Sequence, residues 1–196
     1  MAIFTNILEQ GRQTYNRPGG LDSRDWFRNK AREIRSVNVN NLINNNRQLN
    51  RTFIRPGFMY LFGYDPKLKE TLPYYDRFPL VFPFQDDGDS FLGMNLHYLP
   101  HIMRARLMDS LYDLTNNDRF NETTKVRMSY QLLASSARYK YFKPCVKRYL
   151  YSHVKTRFLL IPANEWDIAL FLPLERFTKA NRNQVYKDSR GIINGV

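Results

Sequence analysis

The chain has 196 residues, 43% hydrophobic and 24% charged, with 30 Lys and Arg against 18 Asp and Glu and so a net charge of +12. That length suits one domain with a sizeable core, and no apolar run approaches the ~18 residues a membrane helix needs. Cys145 is the single cysteine, which rules out an intrachain disulfide and a cysteine-based zinc site.

The apolar run at 3–8 is too short for a signal-peptide core, so a soluble protein made in the cytoplasm is expected. Charge is unevenly spread. Residues 1–63 carry ten basic and four acidic side chains, 64–122 carry six and ten, and 123–164 carry nine basic and none acidic. Such asymmetry points to polyanions or acidic protein surfaces as partners.

Residues 17–20 read Arg-Pro-Gly-Gly, a turn. Asp22 or Ser23 can then cap a helix in which Trp26, Phe27, Ala31 and Ile34 make a narrow apolar stripe and Arg24, Arg28, Arg32 and Arg35 line one side. Seven asparagines follow within 36–50. Asparagine bonds its own backbone in turns and disfavours regular helix, so this stretch reads as a polar arm that neighbouring subunits would order.

From residue 56 the pattern changes. Phe58, Tyr60, Phe62 and Tyr64 alternate, which in a strand puts four rings on one face. Leu80, Phe82 and Phe84 alternate again, and residues 86–90 (Asp-Asp-Gly-Asp-Ser) form a polar turn before a third apolar run at 91–99, the signature of a β-hairpin. Pro100 can open a helix, with Met103, Leu107, Leu111 and Leu114 at helical spacing. A second helix is expected from Thr123 or Thr124 to about residue 139, with Val126, Tyr130, Leu133 and Ala137 inward. Pro144 can start a third, with Val146, Tyr149, Leu150 and His153 on one face. Residues 157–161 read as a strand and 164–167 as a helical turn, with 168–172 a strand or the turn's continuation; the tail from 179 is polar.

The expected class is α+β, a small antiparallel sheet or barrel packed by several helices. It divides into an N-terminal arm and basic helix (1–55), a core (56–177) and a C-terminal tail (178–196), the two ends forming extended arms.

Chemistry-bearing constellations are sparse. The acidic turn lacks EF-hand spacing and its closing Glu. His97 and His101 are four apart, but Pro100 intervenes and no third ligand is evident. Cys145 follows a proline near a helix start, a setting that can lower a thiol pKa. Glu165 and Asp167 have no spacing that ties them to other carboxylates. No phosphate-cradling glycine loop and no nucleophile elbow is present, so neither an enzyme nor a cofactor is expected.

The basic tract makes the stronger claim. Tyr139, Tyr141, Phe142, Tyr149 and Tyr151 interleave with cations, the mixture a nucleic-acid groove uses for bases and phosphates. Arg138, Lys140, Lys143, Lys147, Arg148, Lys155 and Arg157 are therefore the candidate DNA or polyanion contacts. Trp26, Arg28, Arg32, Arg35, Arg47 and Arg51 are the candidate subunit interface.

Four blocks, MYLFGYDPK (59–67), LPYYDRFPL (72–80), GMNLHYLP (93–100) and KPCVKRYL (143–150), resemble small virion structural proteins of T-even-type contractile-tailed bacteriophages, including those of cyanobacterial hosts. The likeness runs in scattered pieces from about residue 26 to 177 and carries no catalytic motif. It implies a non-enzymatic virion component of the tail, baseplate or neck, held by its arms to other virion proteins, with no membrane partner. The alternative is a DNA-binding protein that protects or stabilises packaged DNA ends.

Overall fold

The computed structural model describes residues 3, 4, 29, 34, 36–115, 119 and 121–195. The expected helix around Trp26, Arg28, Arg32 and Arg35 falls outside the described residues, apart from the helical Asn29 and the half-buried Ile34.

A six-stranded, wholly antiparallel sheet organises the chain. Its strands are β1 (Asn50–Arg51), β2 (Met59–Leu61), β4 (Leu80–Asp86), β5 (Ser90–Asn95), β6 (Val146–Leu150) and β7 (Phe158–Ile161), in the order β1-β7-β2-β4-β5-β6. β3 (Tyr75–Asp76) and β8 (Phe177–Thr178) form a separate two-stranded sheet. The α+β class holds, and the main sheet is open rather than closed into a barrel.

The aromatic alternation does what its period implies. Tyr60, Phe62 and Tyr64 bury with Val81, Phe91, Tyr149 and Phe158 in one cluster, and Phe58 packs against it. Phe62 meets Tyr64, Phe91, Tyr149 and Phe158 edge-on at 5.0–6.3 Å, a geometry the ring quadrupoles favour. Met59, Leu61, Leu80, Phe82, Met94, Leu159 and Ile161 belong instead to the main core. That core takes in α2 (His101–Thr115) through Leu107, Met108 and Leu111, α3 (Glu122–Ser136) through Leu133, and α4 (Trp166–Phe171) through Trp166 and 168–171. The acidic turn closes the β4–β5 hairpin with Gly88 at φ +88°, a value that suits glycine. Gly93 is required for a different reason. A Cβ there would lie 2.2 Å from Val81 Cγ1, so only hydrogen lets β4 and β5 approach beside the bulge at 83–85.

Three elements differ from expectation. The asparagine stretch is not an extended arm: α1 (Val39–Asn45) forms there and buries Val39, Leu42 and Ile43. Its asparagines cap both ends. Asn38 accepts the Asn41 N–H at 3.1 Å, while Asn46 and Asn50 donate to the Leu42 and Ile43 carbonyls. The polar tail is helix α5 (Arg182–Asn194), capped by Asn181 and Gly195, and it buries Val185, Tyr186, Ser189 and Ile193. Residues 146–150 form edge strand β6 rather than a helix, because pairing with β5 drives Tyr149 into the aromatic cluster. β-Branched Val146 and aromatic Tyr149 suit that choice, and Lys147 and Arg148 blunt an exposed edge.

Candidate nucleic-acid interface

The chain leaves α3 through consecutive tight turns. Arg138 N–H donates to the Ser135 carbonyl, Tyr139 to Ser136, Phe142 to Tyr139 and Lys143 to Lys140. These turns leave Arg138, Lys140 and Lys143 exposed and keep Tyr139 and Tyr141 at 62% and 57% exposure. Two wet rings beside three cations have little to offer a core. They match a surface that neutralises phosphates and stacks on unpaired bases.

The two cations that follow behave differently. Lys147 is half-buried, with its Nζ 4.2 Å from the centre of the Tyr98 ring, and its burial lowers the ammonium pKa. Arg148 is already paired with Asp87 and also donates to Ser90 Oγ. Tyr149 is buried and Tyr151 packs against the same aromatic cluster. Of the interleaved tract, only 138–143 therefore faces solvent as a mixed surface.

A second basic region forms across the fold. Antiparallel pairing of β1 with β7 sets Asn50 opposite Leu159 and Arg51 opposite Phe158, which carries Arg47 and Arg51 toward Lys155 and Arg157. A cleft of about 470 Å³ results, lined by Ile43, Asn44, Arg47, Asn50, Lys155, Thr156 and Arg157. Arg51 spends its guanidinium on the Gln48 and Asn50 carbonyls. Arg47 and Arg51, expected at a subunit interface, thus share a region with the expected polyanion contacts Lys155 and Arg157. Nothing in the local spacing reveals a pairing across more than a hundred residues. Sequence reading also missed Phe53, 54% exposed two residues past β1, with the Arg55 guanidinium 5.3 Å from its ring centre.

Behind these surfaces lies a buried polar framework. Asp76 Oδ2 is 2.6 Å from His97 Nδ1 and accepts from Asn95, and its Oδ1 accepts from the backbone N–H groups of Phe78 and Arg176. Arg104, fully buried, donates to the carbonyls of Leu99, Leu170 and His97 and to the Tyr186 hydroxyl. Glu175 pairs with Arg182. Burial alone would raise the Asp76 carboxyl pKa, but the charge and hydrogen bond of His97 and the two backbone donors hold it below its usual value. Burial works the same way on Glu175, where the charges of His97, Arg104 and Arg182 hold it down.

A carboxyl with a depressed folded pKa adds stability above its unfolded pKa, about 4, and loses it as the pH falls through the folded value. Stability is therefore expected to fall steeply below about pH 4. An Asp76→Asn variant should be weaker at neutral pH yet show a shallower acid limb. Urea midpoints measured from pH 6 down to pH 2 check this, and identical acid slopes for both proteins would refute it.

The other sequence candidates have structural partners. Cys145 is buried, its Sγ donates to the Phe142 carbonyl, and burial pushes its thiol up to about 12 instead of lowering it. The Glu165 carboxylate accepts the N–H groups of Ile3 and Phe4 at 2.7 and 3.1 Å, fastening the start of the chain to the core. His101 stacks on Phe171 and His97 is bound to Asp76, so the two do not act as a pair. Among the described residues no group of three or more His, Cys, Asp or Glu is placed to hold a metal, and no helix is long and apolar enough to cross a membrane.

The chain falls in the class of T4-type phage proteins by the match of its sequence to a family model. It belongs to the phage T4 terminal DNA protecting protein family, whose family model matches residues 12–190. No curated protein and no solved structure matches it. The family overturns the expectation of a tail, baseplate or neck component and agrees with the alternative of a DNA-end protein. The asparagine stretch and the tail pack onto the chain's own core and need no neighbour to order them.

Proposed function

We propose that this protein binds the ends of linear phage DNA and shields them from exonucleases by occupying them, without catalysing a reaction. Membership in the terminal DNA protecting family carries the reading. It is supported by the exposed cations and rings of 138–143, which suit phosphate contact and base stacking at a frayed terminus. Association with the virion and with the host cytoplasm before packaging are both consistent with such a role.

The test pairs linear duplex with a relaxed, covalently closed circle of the same sequence. Added protein should slow exonuclease digestion of the linear DNA, and unlabelled linear DNA should compete for binding better than the circle at equal mass. Equal competition by linear and circular DNA, with digestion unaffected, would refute the reading.

A further inference from the structure

We propose that the cleft between α1 and the segment leading into β7 seats the terminal phosphate of a DNA strand; this rests on the DNA-end reading above. Its volume, about 470 Å³, falls in the range of small-ligand pockets. Arg47, Lys155 and Arg157 converge on it, with Asn44 and Asn50 beside them and no carboxylate in the lining. Some surface cations carry partners, as Lys69 does with Asp65 and Arg148 with Asp87. Among the described residues, none of the three cleft cations is ion-paired. Three like charges held around one concavity repel one another unless an anion joins them.

The cleft is also built rather than incidental. The Thr156 hydroxyl accepts the Gly63 N–H and donates to the Arg157 carbonyl, both at 2.8 Å, while Asn50 Nδ2 donates to the Ile43 carbonyl at 3.1 Å. These bonds tie the cleft's two walls to the sheet and to α1. A phosphate monoester carries about −1.5 to −2 at neutral pH, whereas each internal phosphodiester carries one negative charge. A tri-cationic cleft therefore favours a strand terminus over its interior. End recognition follows from charge density without reading any base.

The test uses the full chain and one blunt duplex prepared with 5′-phosphate or 5′-hydroxyl ends. The phosphorylated duplex should bind about tenfold tighter at 0.1 M salt, the effect of roughly one further neutralised charge. A triple variant, Arg47→Gln, Lys155→Gln and Arg157→Gln, should lose that difference yet still bind duplex through its other cations and keep the wild-type unfolding midpoint. Equal affinity of the wild type for both duplexes, with ends still preferred over circles, overturns the phosphate cleft and leaves the end-binding reading standing. Loss of any preference for ends over circles overturns both. A variant that retains the full difference overturns the assignment to this cleft.

Discussion

Replacing Arg104 by Leu should cost about 3–5 kcal/mol of folding stability, the range for breaking a buried, fully bonded charge. Leucine would fill part of the space and supply no donor. The carbonyls of Leu99, Leu170 and His97 and the Tyr186 hydroxyl would each lose a partner, and a stranded buried group costs about 1–3 kcal/mol. Glu175 would also lose one of the charges that keeps its carboxylate ionised. Tyr186→Phe removes a single bond of this set and should cost only about 1 kcal/mol. Urea unfolding of the two variants distinguishes the cases. A loss below about 1 kcal/mol for Arg104→Leu would mean that water reaches the carbonyls and that the framework bears little of the fold.

Reversing the charges at Arg138, Lys140 and Lys143 to Glu should lower DNA affinity by about two to three orders of magnitude at 0.1 M salt, and the slope of log K against log salt should shrink by about 2.7. All three side chains are exposed, so the unfolding midpoint should barely move. Lys147→Glu is the contrasting case, because it would set a carboxylate against the face of Tyr98 and destabilise the fold. Tyr139→Ala together with Tyr141→Ala should weaken binding to frayed ends by about 1–3 kcal/mol per stacked base and leave blunt duplex little affected. Fluorescence anisotropy over a salt series measures these effects. An unchanged salt slope for the triple Glu variant would exclude 138–143 from the contact surface.

The periods written into 56–111 were enough to find the aromatic strands, the β4–β5 hairpin and the helix after Pro100, because each is decided within a few neighbouring residues. Residues 146–150 were not legible in the same way. Proline before Val146 and helical spacing of Tyr149, Leu150 and His153 favour a helix locally, and only the distant β5 edge decides otherwise. The asparagines of 36–50 misled because they weaken a helix interior but stabilise its ends: Asn38, Asn46 and Asn50 bond its free backbone groups, while Asn40, Asn41, Asn44 and Asn45 are carried within a helix held by the burial of Val39, Leu42 and Ile43. The exposed cations were visible one by one. Which of them share a surface depends on the β1–β7 pairing, and which are spent depends on Tyr98 and Asp87, neither of which local spacing can show.

The order β1-β7-β2-β4-β5-β6 sets a timetable for biosynthesis. β1 and β2 leave the ribosome early, yet the strand that lies between them, β7, is made about a hundred residues later. At about 5–20 residues per second that delay is roughly 5–20 seconds. Until β7 is made, the β2 edge of the nascent β2–β4–β5 unit has no strand to pair with, and the Ile3–Phe4 segment waits for the Glu165 that will hold it. Yield from the host should therefore rise with added chaperone and fall with slower translation, which lengthens that wait, more than with any change to the mature surface.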